Sequence, residues 1–229
     1  MTTTADMLVL SAHPDDAEFG VAGTVARWTR DGKKVVYVVC TNGDKGTTDP
    51  KLKPDQLTRI REKEQQAAAD VLGVQEVLYL GHPDQGLEDT PEFRKEIVRL
   101  IRIYRPHTVV TSDPYRRYIW HRDHRIIGQV ALDAVYPFAR DHLAYPDMAA
   151  QGLLPHKVKE IWFWGADDIN HRIDITATFE KKLAALKCHE SQVREFKTRN
   201  IGQWLKKRCR EAADGEGFEL AEAFHRVII

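Results

Sequence analysis

Cysteine is scarce in this chain. Only three cysteines occur among 229 residues, Cys40, Cys188 and Cys209. Their spacing matches neither a disulfide framework nor a cysteine-rich metal site. Isolated cysteines of this kind are typical of free thiols in a reducing compartment. This scarcity argues against a small disulfide-stapled secreted fold, and we expect a cytoplasmic protein.

Long apolar runs and an excess of one charge are also missing. No stretch approaches the ~18 consecutive apolar residues of a transmembrane helix, and the first apolar run is too short for a signal peptide. Lys and Arg together number 34, as do Asp and Glu, so the formal net charge is zero. A neutral chain has no general basic field that attracts nucleic acid or an anionic membrane. We therefore expect neither as a partner.

The sequence does contain apolar runs that alternate with helical patterns. Continuous apolar runs, typical of strands covered on both faces, lie at 7–12, 33–41, 76–80 and 107–112. Helical patterns follow them at 17–32, 55–72, 91–104 and 124–139. This alternation predicts an α/β, Rossmann-like fold with a mostly parallel sheet and helices on both faces.

The remaining residues continue the same kind of pattern. Further strand-like runs lie at 158–165, 171–176 and 218–229, and helical patterns lie at 177–196 and 200–213. We find no linker or shift in composition between the two parts. The sequence therefore predicts a single domain over 1–229. Its core lies at about 7–140, and 141–229 complete the sheet and the substrate site.

Three polar segments follow predicted strands. They are "HPDD" at 13–16, "TNGDKG" at 41–46 and "DPYRRYIWHRDH" at 113–124. Ligands of open α/β sheets bind at the carboxyl ends of the strands, so we expect the three segments to share one crevice.

The residue types in two of these segments suit a metal. A catalytic zinc site needs three protein ligands and an open position for water. His13 and Asp16 can come from the first segment, and His121, Asp123 and His124 are candidates in the second. A ligating histidine usually donates its other N–H to a carboxylate, which "HRDH" also offers. A bound cation would also explain why two neighbouring carboxylates, Asp15 and Asp16, follow a buried strand.

Each motif also has an interpretation in which it plays no part in chemistry. "HPDD" alone could be a surface turn or a helix cap, although "HRDH" after another strand favours a site. "GHPDQG" at 81–86 is predicted to be a loop, with or without a substrate contact. Arg61 and Glu64 could form an exposed helical ion pair. His189 could either reach the site from the C-terminal part or be a surface residue.

Five segments together resemble the PIG-L/LmbE-like family of zinc-dependent deacetylases. They are "AHPDDAEFGVAGT", "TNGDKGT", "REKEQQAAADVLGV", "HRDH" and "KLAALKCHESQ", and they occur in the family's order. Members have a Rossmann-like fold and remove acetyl groups from N-acetylglucosamine units of small conjugates or short chitin oligosaccharides. The resemblance implies a small-molecule amino-sugar substrate, one Zn²⁺ per chain and a homo-oligomer.

The resemblance also implies roles for the matched residues. His13, Asp16 and His124 would be the zinc ligands. Asp15 would be the general base, and His121 would stabilise the oxyanion or act as the acid, with Asp123 in support. Arg61 would contact the substrate.

Two positions depart from the family pattern. Ala17 stands where many members have Glu, and Arg122 stands where Pro is common. Neither change removes a predicted ligand, but both bear on the choice of substrate.

The sequence therefore predicts a zinc-dependent hydrolase that converts an N-acetylated amino sugar, or a conjugate of one, to a free amine and acetate. Another amide hydrolase, such as a thiol-conjugate amidase, would use the same motifs. A non-enzymatic Rossmann-like nucleotide-binding protein is the alternative of another class. The chain contains neither G-x-G-x-x-G nor a P-loop, which argues against that alternative.

Overall fold

Seven strands form one sheet in the computed structural model, which describes residues 4–194 and 200–229. The strands are β1 Met7–Ser11, β2 Val35–Thr41, β3 Glu76–His82, β4 Thr108–Ser112, β5 Glu160–Trp164, β6 His171–Asp174 and β7 Ala221–Ile228. Their order across the sheet is β3-β2-β1-β4-β5-β7-β6. The first five strands are parallel, and β7 runs antiparallel to both β5 and β6. The predicted mostly parallel sheet is confirmed.

The central strands are apolar because both of their faces are covered. Every residue of β1, β2 and β4 is buried. In β1, Leu8 and Leu10 belong to one hydrophobic cluster, whereas Met7 and Val9 belong to another. Side chains of a strand alternate between its faces, so each cluster lies on one side of the sheet. Burial of each such side chain stabilises the fold by roughly 1.5–3 kcal/mol.

Helices cover both faces of the sheet. They are α1 Asp16–Gly20, α2 Ala22–Arg30, α3 Pro54–Leu72, α4 Pro91–Tyr104, α5 Arg122–Asp133, α6 Pro146–Ala150, α7 Phe179–Lys187, α8 Glu190–Val193 and α9 Ile201–Ala212. A π-helical turn, Ala134–Phe138, follows α5, and a 3₁₀ turn, Thr176–Thr178, precedes α7. Within the described ranges, no helix is both long and apolar enough to cross a bilayer.

Three predicted helices are interrupted. The helix predicted at 17–32 breaks at Val21, whose φ of −142° is not helical. The one predicted at 124–139 ends early because Tyr136 precedes a proline and adopts an extended conformation. The one predicted at 177–196 divides at His189, whose side chain is drawn into the protein interior. Residues 195 and 196 of that prediction lie outside the described residues.

The direction of the strand order reverses between β1 and β4. From β1 the chain proceeds to β2 and β3 on one side, and then β4 and β5 follow on the other. Such a reversal leaves a crevice at the carboxyl ends of the two adjacent strands, because their connections leave in opposite directions. The "HPDD" and "HRDH" segments both lie beside this crevice.

Close packing fixes α5 over the end of β4. Ser112 Oγ donates a hydrogen bond to the carbonyl oxygen of His124 at 2.8 Å. One turn later, a Cβ at Gly128 would collide with the carbonyl oxygen of Ser112 and lie 2.8 Å from Cδ of Pro114. Glycine at this position therefore lets the helix that carries His124 approach the sheet.

We predict that Gly128→Ala destabilises the protein by about 1–3 kcal/mol, because the clash involves backbone that cannot move aside cheaply. Helix propensity alone would give the opposite sign, about 1 kcal/mol of stabilisation. Gly217→Ala is the matched control, since a Cβ there meets nothing within 4 Å. Urea unfolding of both variants measures the difference. Equal stabilities would show that α5 does not depend on this contact.

Candidate functional site

Three predicted ligand side chains converge at the crevice. His13 Nδ1 lies 3.3 Å from His124 Nε2 and 3.5 Å from Asp16 Oδ2. His124 Nε2 lies 2.9 Å from Asp16 Oδ1. The turn from β1 into α1 therefore positions two of these side chains, and the start of α5 positions the third. The structure brings together the set that the family resemblance implied.

The other nitrogen of His13 faces two further carboxylates. His13 Nε2 lies 3.0 Å from Asp84 Oδ1 and 3.2 Å from Asp123 Oδ2. The backbone N–H groups of Gln85 and Leu87 also donate to the Asp123 carboxylate, at 2.7 and 3.3 Å. A proton on Nε2 satisfies both acids and leaves the Nδ1 lone pair free on the side of Asp16 and His124.

Sequence reasoning missed Asp84. This residue is the aspartate of "GHPDQG", which we predicted to be a loop, with or without a substrate contact. Its side chain is buried and also lies 3.9 Å from Arg61 Nη1. The available signal was its position after β3, at the same edge of the sheet as the other segments.

Negative charge is in excess around His13. Burial lowers the pKa of His13, but its hydrogen bonds to Asp123, Asp16 and Asp84 raise it overall to about 12. Burial also opposes ionisation of Asp16, yet the adjacent His124 and His13 hold the pKa of Asp16 well below its usual range. The first shift favours the protonated form of His13, and the second favours the ionised form of Asp16, so the pair is held as a cation beside an anion. Buried carboxylates of this number require a cation, which can be a proton or a metal.

The donor set fits a metal ion. Zinc held tetrahedrally at bonds of about 2.0–2.1 Å separates its ligand atoms by roughly 3.3 Å. The distance of 3.3 Å between the two histidine nitrogens brackets this value together with the 2.9 Å from His124 Nε2 to Asp16 Oδ1 and the 3.5 Å from His13 Nδ1 to Asp16 Oδ2. One potential ligand atom from each of His13, His121 and His124 also lies within 4.8 Å of the others. His13 Nε2, the ring nitrogen that faces away from Asp16 and His124, hydrogen-bonds to the carboxylates of Asp84 and Asp123, as is usual for a ligating histidine.

His121 lies at the exposed mouth of the cluster. Its ring centroid is 4.6 Å from that of His13 in an edge-on arrangement. The backbone N–H of Asp123 donates to its Nδ1 at 3.1 Å, so a neutral ring carries its proton on Nε2. Burial, followed by the charges of His13 and His124, lowers the pKa of His121 and favours this neutral form. The carboxylate of Asp123 hydrogen-bonds to His13, whereas we expected it to support His121.

Asp15 is held in an unusual backbone conformation beside the cluster. Its φ is 94°, a value that non-glycine residues rarely adopt. Its backbone N–H donates to Gln65 Oε1 at 3.0 Å, and its Oδ2 lies 3.7 Å from Arg61 Nη2. Burial raises the pKa of Asp15 to about 6, although Arg61 acts in the opposite direction. The carboxyl group is therefore suited to exchange a proton near neutral pH.

Arg61 joins the segments that follow β1 and β2. Its guanidinium donates to the carbonyl oxygens of Pro14 at 2.7 Å and of Gly43 and Lys45 at 3.2 Å each. The side chain is 4 % exposed, and Glu64 bonds to Ser191 instead of to Arg61. The exposed helical ion pair is therefore not formed. The predicted substrate contact of Arg61 stays a prediction.

His189 is connected to Asp15 through two buried side chains. Its ring is fully buried, and Nε2 lies 3.0 Å from Glu18 Oε2. Gln65 Nε2 donates to the other Glu18 oxygen at 3.1 Å, while Gln65 Oε1 accepts the bond from Asp15. A ring with no exposed surface cannot touch a substrate. In place of the predicted substrate contact, His189 has an indirect connection to the backbone of Asp15 through Glu18 and Gln65.

Fold and site together define an α/β enzyme with a candidate metal centre at the point where the strand order reverses. Comparison with known proteins agrees with this class. Residues 8–135 match the family described as PIG-L, GlcNAc-PI de-N-acetylase. A diacetylchitobiose deacetylase from Thermococcus kodakarensis is 37 % identical over 189 residues, which cover 82 % of this chain and 70 % of that protein.

Two further relatives extend the comparison. The structure of an N,N'-diacetylchitobiose deacetylase from Pyrococcus horikoshii, in complex with its inhibitor MPG, has a TM-score of 0.92 at 30 % identity, covering 98 % of this chain and 84 % of that one. A mycothiol S-conjugate amidase from Streptomyces coelicolor is 31 % identical over 169 residues, which cover 64 % of this chain and 57 % of that protein. The chain belongs to the PIG-L family of de-N-acetylases, as the sequence motifs predicted.

We predict that Gln65→Leu lowers kcat by about 10- to 100-fold and leaves the metal content unchanged. The substitution removes the acceptor that holds Asp15 at a strained φ, and a small displacement of a reacting group costs rate on this scale. Gln66→Leu is the matched control, because Gln66 is exposed and its side chain donates to Asp70. Steady-state kinetics and metal analysis of both variants check this, and equal rates would contradict it.

Proposed function

We propose that the protein hydrolyses the acetamide of an N-acetylated amino sugar, or of a small conjugate of one, to a free amine and acetate. The convergence of His13 Nδ1, Asp16 and His124 Nε2 within 3.5 Å, beside Asp15 and His121, carries this proposal. The relatives that act on diacetylchitobiose support the choice of an amino sugar.

We assign the three converging side chains to one Zn²⁺. Two histidines, one carboxylate and an open fourth position are the donor set of a hydrolytic zinc site. When bound, zinc lowers the pKa of water towards ~7 and polarises an amide carbonyl. His13 keeps its proton on Nε2, toward Asp84 and Asp123, so that Nδ1 is free to bind.

Asp15 acts on the attacking water, and His121 acts on the amide carbonyl of the substrate. Asp15 accepts the proton of the attacking water, for which its ionised form is required. His121 donates a hydrogen bond from Nε2 to the amide oxygen as negative charge develops there. Nε2 carries the proton because Nδ1 already accepts a hydrogen bond from the Asp123 N–H. The proton that Asp15 has taken is then available to the departing amine, and acetate remains.

A thiol-conjugate amidase is the second candidate, favoured by the similarity to the mycothiol S-conjugate amidase. Both reactions break an amide bond on an amino sugar and need the same groups. They differ in the acyl group released, which is acetate in one case and a larger acid in the other. A homo-oligomer and a cytoplasmic location stay predictions from the family resemblance and from the composition.

The deciding experiment measures acetate and free amine released from a panel of N-acetylglucosamine glycosides, with S-substituted N-acetylcysteinyl conjugates of glucosamine in parallel. We expect equal amounts of acetate and amine from the soluble glycosides, and loss of activity with a chelator that added Zn²⁺ reverses. Activity on the cysteinyl conjugates alone would establish the amidase instead. Turnover confined to lipid-anchored substrates would exclude the soluble class.

We predict that substitutions of the two neighbouring carboxylates have different effects on zinc content and on kcat. Asp15→Asn should retain zinc and lose kcat by ~10²–10⁴-fold, because the amide cannot accept the proton of water. Asp16→Asn should lose zinc, because a negative ligand is removed. Activity should rise with pH as the base loses its proton, and Asp15→Asn should lack this acidic limb. Zinc stoichiometry and pH–rate profiles of both variants test the assignment.

Two outcomes would contradict this assignment. Loss of zinc from Asp15→Asn, with zinc and rate kept in Asp16→Asn, would reverse the two roles. Wild-type turnover in both variants would refute the hydrolytic site itself.

A further inference from the structure

One loop, residues 83–88, supports both carboxylates that face the outer side of the His13 ring. It follows β3 and contains Asp84, whose Oδ1 lies 3.0 Å from His13 Nε2. The other carboxylate, that of Asp123, accepts hydrogen bonds from two backbone N–H groups of the same loop. The orientation of His13 therefore depends on what holds this 83–88 loop in place.

The backbone of the loop is strained where it meets Asp123. Gln85 has a φ of 63°, in the left-handed region that non-glycine residues seldom adopt. Its N–H group donates to Asp123 Oδ2 at 2.7 Å, which is the shorter of the two bonds from the loop to this carboxylate. A residue keeps such a conformation only where the surrounding contacts enforce it. The loop therefore needs contacts that oppose its relaxation.

Arg122 supplies such contacts from the first residue of α5. Its Nη1 donates to the carbonyl oxygen of Leu87, and its Nη2 donates to Glu88 Oε1 at 3.1 Å. The N–H group of Leu87 donates at the same time to Asp123 Oδ1 at 3.3 Å. Two consecutive residues of α5 thus hold both the N–H and the C=O group of a single loop residue. This arrangement fixes the loop relative to the helix that carries His124.

A surface ion pair is the simpler interpretation of Arg122. The side chains of Arg122 and Glu88 are 50 % and 70 % exposed, and exposed pairs of this kind contribute little. Leu87 differs, because it is only 1 % exposed, so the bond to its carbonyl oxygen is better shielded from water. A hydrogen bond from a charged donor is also roughly twice as strong as one between neutral groups. The contact with the backbone is therefore the one that can fix the loop.

We propose that Arg122 is a positioning residue for the zinc ligand assigned to His13. Arg122 holds the 83–88 loop, and the two carboxylates that depend on this loop keep His13 Nδ1 turned toward the metal position. This inference rests on the proposed function, since it presupposes the assignment of zinc. Hydrogen-bond partners behind a metal ligand raise metal affinity because they fix the orientation of that ligand. Arg122 should therefore affect zinc affinity without touching zinc or substrate.

Zinc binding to the metal-free protein tests the proposal. Arg122→Met removes both donors and keeps an unbranched side chain. We expect its zinc dissociation constant to rise about tenfold, which is the lower end of the range for partners behind a metal ligand. Arg122→Lys should recover part of the affinity, because lysine keeps the charge and one donor but not the planar fork. Competition with a chromophoric chelator measures the constant for each protein.

Arg99→Met is the matched control. Arg99 is exposed, and it also donates a hydrogen bond between separate segments, to Gln151 Oε1 at 2.8 Å. Neither partner lies in the 83–88 loop. The zinc dissociation constant of Arg99→Met should therefore equal that of the wild type.

Amide hydrogen exchange separates positioning from a general loss of stability. In metal-free Arg122→Met, the N–H groups of Gln85 and Leu87 should exchange at least severalfold faster than in the wild type, because the loop opens more often. Exchange in β1 should be unchanged, since Arg122 makes no listed-type contact with that strand and the core around it is intact. A merely structural role would raise exchange in the loop and in β1 together.

The outcomes separate this inference from the proposed function. Equal zinc dissociation constants for the wild type and Arg122→Met would overturn the inference and leave the zinc assignment intact. Faster exchange in β1, or an equal loss of affinity in Arg99→Met, would also overturn it. If the wild type binds zinc but hydrolyses no N-acetylated substrate, the proposed function fails, and the difference in zinc affinity still decides the inference. A wild type that binds no zinc would overturn both.

Discussion

Surplus negative charge around one imidazole is the constraint on which the rest of the site depends. Asp16 faces one nitrogen of His13, and Asp84 and Asp123 face the other. Buried carboxylates at these distances repel one another unless a cation lies among them. The reversal of strand order between β1 and β4 brings the segments that carry these residues to a common edge of the sheet. There, Nδ1 of His13 faces the candidate metal position, and Nε2 carries the proton that Asp84 and Asp123 accept.

The parts of the fold that local sequence determines could be predicted. β1, β2 and β4 are runs of β-branched and apolar residues, and such runs suit strands that are buried on both faces. The start of one helix and the end of another could also be predicted. Pro91 is suited to the first position of a helix, and Gly73 adopts a positive φ of 76° that ends one. The pairing of "HPDD" with "HRDH" followed from the rule that parallel strands present their carboxyl ends at one edge.

The errors concern contacts between distant parts of the chain. His189 is separated from Glu18 by 171 residues, and no local pattern shows that this histidine is buried against an acid. Asp84 lies in a Gly- and Pro-containing segment that has the composition of an ordinary turn. The direction of the Asp123 carboxylate depends on the backbone N–H groups of Gln85 and Leu87, which a sequence pattern cannot place. Helical periodicity likewise did not reveal the breaks at Val21 and His189.

The position of β4 limits how far the protein can be divided. The family match ends at residue 135, and the two motifs that form the candidate metal centre both lie before that point. Yet β4 pairs with β5 along its whole length, and β5 belongs to the part that follows. A fragment ending at residue 135 would keep every proposed ligand but would expose the apolar edge of β4, with its backbone N–H and C=O groups unpaired. Another chain can add a strand to such an edge, which leads to aggregation. A truncated protein would therefore fail by aggregating, even at a length that still includes all of the proposed ligands.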